Sequence, residues 1–212
     1  IADHAESRRP RDGGDPLAKV HTTVAPNLIA NSIFESGLND WNVSTTLSQS
    51  ITESSSFAGT RALSIDTDVS GTLSQTIDLA AQGIDLATVD ASLLDVLASI
   101  RLRTVSETAS TLRMEVLFRG ADTSTIEEVV VDAAASNDRW YRVGQRLPIP
   151  AGTRSIVFQV VSDGAATEGT IELVDDAYLA VVADQYAPES GYRAGVADDH
   201  EVVSGPRLYL RS

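Results

Sequence analysis

Arginine carries almost all the positive charge of this chain, since Lys19 is its one lysine, and several arginines recur at strand spacing. In "ASIRLRTV" Arg101 and Arg103 alternate with Ile100, Leu102 and Thr104. In "TLRMEVLFRG" Arg113, Glu115 and Arg119 alternate with Leu112, Met114, Val116 and Phe118. Successive side chains of a strand point to opposite faces, so the apolar set is expected to face inward and the charged set outward. Together with Gln159 these residues are expected to form one guanidinium-rich outer sheet face. Guanidinium forks bind carboxylates at two points. Such a face serves as a solvated surface of cross-strand Arg–Glu pairs, or as a site for an acidic glycan or an acidic arm from a neighbouring copy.

Catalytic chemistry is poorly supplied. His4, His21 and His200 all lie in the terminal segments, away from any element that would hold a general base in place. Asp66, Asp68 and Asp163 stand near Gly or Ser in contexts that read as turns. The chain has no cysteine, which removes disulfides, thiolate nucleophiles and zinc–thiolate sites together. No glycine-rich phosphate loop is present. The expectation is a protein that is not an enzyme. A formal charge of -14 and a pI of about 4.4 argue against nucleic acid as a partner. No run approaches the roughly 18 apolar residues that a membrane span needs, so membrane insertion is not expected. The chain starts at Ile1, as a processed precursor would.

The elements that must position these residues are short strands separated by turns. With 42% hydrophobic content in 212 residues the chain can bury one core of sandwich size. "RALSIDTDV", "LSQTIDLA", "ASIRLRTV", "TLRMEVLFRG", "IEEVVVDA", "RWYRVGQRLPI", "RSIVFQVVSD" and "GTIELVDDAYLAVV" carry the strand pattern, and "NLIANSIFESGLNDW" opens the domain on an apolar strand. One stretch, residues 85–97, has apolar residues near helical spacing and reads equally as a short helix or an irregular strand. Residues 1–26 and 183–212 are rich in polar and turn residues. They are expected to be extended arms, the second ending in a short strand around Leu208 and Leu210, that order by docking on neighbouring subunits.

The order of "NLIANSIFESGLNDW", "SFAGTRALSI", "LSQTIDLA", "DRWYRVGQRLPIPAGTRSIVFQVVS" and "IELVDDAYLAVV" resembles that of carbohydrate-binding modules of the galactose-binding-domain-like jelly roll. Residues 27–182 carry the likeness. It implies an all-β jelly-roll β-sandwich of two antiparallel sheets. It also implies a structural calcium ion, with Glu35 and one of Asp175 or Asp176 as carboxylate ligands and carbonyls near Ala58 and Gly59 completing the shell. Ser32 and Ile33 depart from the Gly-Asp usual before Phe-Glu in this family. Sugar rings need aromatic faces, yet aromatics are 5% of the chain. Phe34, Trp41, Trp140 and Phe158 read as core, and Phe57 falls in a loop that suits either role. Two functions fit. One is a structural or surface subunit of the virion decoration, tail or extracellular-assembly type, forming a homo-oligomer or larger assembly through its arms. The other is a glycan-binding module of a secreted or cell-surface protein. Both place it outside the cell or on a virion surface.

Overall fold

Alternating apolar residues make the middle of the chain a set of strands, and in the computed structural model they form two layers. The structure describes residues 25–53, 55–105, 111–132, 138–166 and 170–183. The elements are β1 (Asn42–Val43), β2 (Gln49–Thr52), β3 (Ala62–Asp66), β4 (Ser70–Asp78), α1 (Leu86–Asp90), β5 (Leu94–Thr104), β6 (Leu112–Arg119), β7 (Thr125–Asp132), β8 (Tyr141–Pro148), β9 (Ser155–Asp163) and β10 (Ile171–Ala183). The first sheet has the order β1-β4-β9-β6-β7 and the second β2-β3-β10-β5-β8. Every pairing is antiparallel. The expected all-β sandwich is therefore what the chain forms. The proposed arms lie almost wholly outside the described residues, and so does the short strand around Leu208 and Leu210.

The inner faces meet through the residues the alternation points inward. Ile100 and Leu102 of β5, Met114, Val116 and Phe118 of β6, Phe158 of β9 and Val174 of β10 are all fully buried. Each such side chain contributes roughly 1.5–3 kcal/mol of apolar transfer free energy. Phe34 and Trp41 stack at 5.3 Å between ring centroids, and Trp41 meets Phe158 edge-on at 6.3 Å. These three aromatics belong to the core, as their positions suggest.

The opening segment does not form a ladder strand. Instead Asn27 to Ser32 straps across β10: Leu28 N donates to Leu179 O at 2.7 Å, Leu179 N to Asn27 Oδ1 at 3.0 Å, and Ala177 N to Ser32 O at 2.9 Å. Turns follow at once. Asn31, Phe34 and Asp40 all have positive φ, so the chain folds back repeatedly rather than extending. Residues 85–97 divide between the two expected forms. Asp85 caps a five-residue helix by accepting from Ala87 N, Ser92 at φ 55 breaks it, and β5 begins at Leu94. Strands β1 and β2 are additions that the sequence pattern does not announce.

Candidate functional site

The six residues expected to share one outer face are divided by the sandwich. Arg101 and Arg103 lie on β5 in the second sheet, whereas Arg113, Glu115 and Arg119 on β6 and Gln159 on β9 lie in the first. The expectation of a single face is thus corrected. Alternation tells whether a side chain points inward, but two stacked sheets turn their outer faces in opposite directions. In the first sheet Arg113, Glu115 and Gln159 bond one another, and Arg119 stands apart from them. Arg113 Nε donates to Glu115 Oε1 at 2.6 Å, and Gln159 Nε2 donates to the other oxygen of Glu115, which is only 4% exposed. That bond to Glu115 holds the Arg113 guanidinium above its ordinary range. Both oxygens of Glu115 are thereby engaged within the sheet.

The second sheet's outer face is more open. Asp175, Arg101 and Arg142 stand in register across β10, β5 and β8. The loop before β3 lies over this end of the sheet and presents Phe57, which is 43% exposed. The Arg101 guanidinium sits 3.7 Å from the centre of the Phe57 ring, a cation–π contact. Trp140 meets Phe57 edge-on at 6.1 Å and donates its indole N–H to Ser55 O at 3.2 Å. Trp140 is therefore half-exposed at a surface cluster, not in the core where its position suggested. Around the aromatic pair, Arg103 donates from Nε and Nη2 to Asp138 Oδ1 at 3.0 and 2.8 Å, and Arg101 Nε donates to Asp176 at 3.3 Å. Arg142 turns to a hydroxyl: its Nε and Nη2 donate to Ser99 Oγ at 3.0 and 2.8 Å. Burial raises the Tyr178 hydroxyl pKa, and the Arg142 charge pulls the other way.

Two carboxylates hold the loop that carries Phe57. Asp175, with no exposed surface, accepts from Phe57 N at 2.8 Å, Ala58 N at 2.9 Å and Asp176 N at 2.8 Å. Burial raises its pKa, and these amide bonds oppose the rise. Glu35 accepts from Thr60 N and from Thr60 Oγ1 and Arg61 N, the last two at 2.8 and 2.9 Å. The Thr60 amide, first among these, lowers the Glu35 pKa. Gly59 stands where a Cβ would run into the Glu35 carboxylate, and its φ of 66° suits glycine. The structure thus brings Glu35, Ala58, Gly59 and Asp175 to one loop. Asp176 turns away to Arg101.

Two carboxylates with nearby carbonyls match calcium in donor type. In this arrangement, however, all four carboxylate oxygens accept N–H or O–H groups, and the Gly59 carbonyl accepts from Ser56 Oγ at 3.1 Å. A cation there would exchange those donors for itself. No grouping of three or more His, Cys, Asp or Glu placed to hold a metal occurs among the described residues.

No family model matches the sequence, and a search of curated proteins returns no match. Solved structures do match in fold. The CBM22-1 xylan-binding domain of Paenibacillus barcinonensis Xyn10C superposes with a TM-score of 0.51 at 17% identity, covering 75% of this chain and 96% of that domain. TmCBM61, solved with β-1,4-galactotriose, gives 0.50 at 18% identity, covering 73% and 98%. This is a carbohydrate-binding-module-like β-sandwich. The enzymatically active domain of bacteriophage CBA120 tailspike protein 4 contains a similar sandwich, with a TM-score of 0.56 at 10% identity over 74% of this chain. That match spans only 21% of the tailspike chain. Among the described residues of this module-like sandwich, no helix is long and apolar enough to cross a membrane.

Sequence reasoning missed two residues of the outer face. Trp140 and Arg142 sit in "RWYR", where alternation places Val143 and Leu147 in the core and Arg142 outside. That periodic signal was present for Arg142. For Trp140, at the end of a connection, it was not.

Proposed function

We propose that the chain is a non-catalytic module that binds carbohydrate on the outer face of its second sheet. The observation that carries this reading is the Phe57–Trp140 pair, two aromatic rings held half-exposed at a sheet face with polar groups around them. Aromatic faces take up the apolar side of a sugar ring, while planar donors such as guanidinium select its hydroxyls. The support is physical as well as comparative: Phe57 is exposed on a loop whose Phe57, Ala58, Thr60 and Arg61 amides are all held by the Asp175 and Glu35 carboxylates, and it forms a pair with a second aromatic ring. Xylan- and galactotriose-binding domains among the structural neighbours agree with it. A glycan array on the full chain tests it, with Phe57→Ala and Trp140→Ala as the site variants. Binding lost in both supports the reading, and a blank array for the wild type removes it.

A second reading, a structural or surface subunit of a virion or extracellular assembly, is favoured by the likeness to the tailspike sandwich. In this reading residues 1–26 and 183–212 dock on neighbouring copies. Either function places the protein outside the cell or on a virion surface.

Calcium is proposed as a structural ion of the same loop, held by Glu35 and Asp175 with carbonyls of Ala58 and Gly59. Its binding would require both carboxylates to exchange the N–H and O–H donors they now accept for the ion. Melting the protein in EDTA and in millimolar calcium tests this, and identical melting temperatures would remove the ion.

A further inference from the structure

The arginines of the outer face are not neutralised evenly. Register sets Arg101 of β5 directly opposite Arg142 of β8. Directly paired residues of antiparallel strands lie roughly 4.5–5.5 Å apart at Cα, and like charges so placed repel. A chain with a formal charge of -14 has ample carboxylate to separate them. Their neighbours are in fact matched: Arg103 has Asp138, and Arg146 donates to Asp95 at 2.7 Å. Among the described residues Arg142 has no carboxylate partner: its Nε and Nη2 bond only the neutral Ser99 hydroxyl, and its Nη1 makes no bond there. Among the described residues Arg101 engages Asp176 through Nε alone, at 3.3 Å, with neither Nη group bonded and its Cζ 3.7 Å from the centre of the Phe57 ring. Two arginines paired across β5 and β8 thus keep donors unbonded among the described residues, Arg101 against Phe57 and Arg142 two residues along the chain from Trp140.

We propose that this face takes an anionic sugar. The carboxylate or sulfate of one residue of an acidic glycan bonds the free donors of Arg101 and Arg142, and a sugar ring packs on Phe57 and Trp140. The inference rests on the carbohydrate-binding reading above and adds the class of sugar. Against an anion a guanidinium adds ion–ion attraction and two-point bonding to the hydrogen bond it would make with a neutral hydroxyl. The ligand's anion also relieves the repulsion across the β5–β8 pair. Non-specific attraction does not give the same outcome, because the chain as a whole repels polyanions.

The test uses affinity electrophoresis and calorimetry on the full chain. Polygalacturonate and alginate supply carboxylates, heparin and dextran sulfate supply sulfates, and xylan and β-1,4-galactan are the neutral arm. At least one acidic class should bind about tenfold or more tighter than the neutral arm, with Arg101→Gln and Arg142→Gln each lowering that affinity about tenfold. Raising salt from about 50 to about 300 mM should weaken the acidic binding and spare any neutral binding. Arg154→Gln, which breaks the Arg154–Asp90 pair at the other sheet, should leave affinity unchanged. Carboxylated or sulfated ligands alone would each support the proposal and identify the anion. Neutral glycans bound as tightly as acidic ones, or acidic binding that survives both arginine variants with intact melting curves, overturns it and leaves the module reading standing. No glycan bound at all overturns both.

Discussion

Asp175 is the residue on which the presentation of Phe57 depends. Its carboxylate accepts three backbone N–H groups while fully buried, and two of these belong to Phe57 and Ala58. Removing an acceptor leaves its donors buried and unpaired, which costs more than the bonds contributed. Asp175→Ala is expected to lower stability by about 2–4 kcal/mol in chemical denaturation, and to lower glycan affinity as the Phe57 loop loosens. Glu35 acts on the far end of the same loop and supplies a pH dependence. Its folded pKa is depressed, so its contribution is present above the ordinary carboxylate range and is lost as pH falls through the lower folded value. Asp175 has the opposite sign: with a raised folded pKa, its ionisation works against stability as pH rises through that value. The melting temperature of the wild type should therefore fall on the acid side more steeply than that of Glu35→Gln. Parallel acid limbs for the two proteins would refute the assignment.

At the scale of elements, β5 and β8 approach closely where Gly144 faces Ser99. A Cβ on Gly144 would come within 2.6 Å of the Ser99 Cβ and 2.8 Å of the Ala98 carbonyl oxygen. Gly144→Ala is expected to destabilise by about 1–3 kcal/mol as the strands part, and to weaken binding by moving the Ser99 hydroxyl that orients Arg142. A stable variant with unchanged affinity would show that the two strands do not position the arginine. The strands themselves were legible, because a two-residue period is a local signal: Ile100 and Leu102 point inward and Arg101 and Arg103 outward in both the pattern and the structure. Which strands share a sheet was not legible. Arg113 and Arg101 carry the same pattern, and only the long-range order of pairing separates them. The opening segment misled for a related reason. Its apolar residues fill the core through turns at positive φ, which mimic the composition of a strand without its ladder. Trp140 was misplaced because a large aromatic beside a strand reads as core unless the covering layer is known.

The whole molecule sets the limit on what the terminal residues do. Among the described residues, Phe34 and Trp41 fill the core of the two sheets from the opening strap, and Leu28 ties that strap to β10. A fragment of residues 25–183 keeps each of these contacts, including the Tyr178 hydroxyl bond to Ala25 O at 2.9 Å. Such a fragment is expected to unfold in one cooperative transition, with a melting temperature within a few degrees of the full chain. Its sugar binding should be unchanged, because Phe57, Arg101, Trp140 and Arg142 all lie within it. Assembly is the property that divides the two functional readings. If the protein is a structural subunit, the full chain forms large species in light scattering and the fragment remains a monomer. If it is a binding module, both scatter as the same small species and both bind the same glycans. A fragment that melts far below the full chain would show that the segments beyond residues 25–183 brace their own sandwich, and the docking of arms on neighbouring copies would then be the reading to abandon.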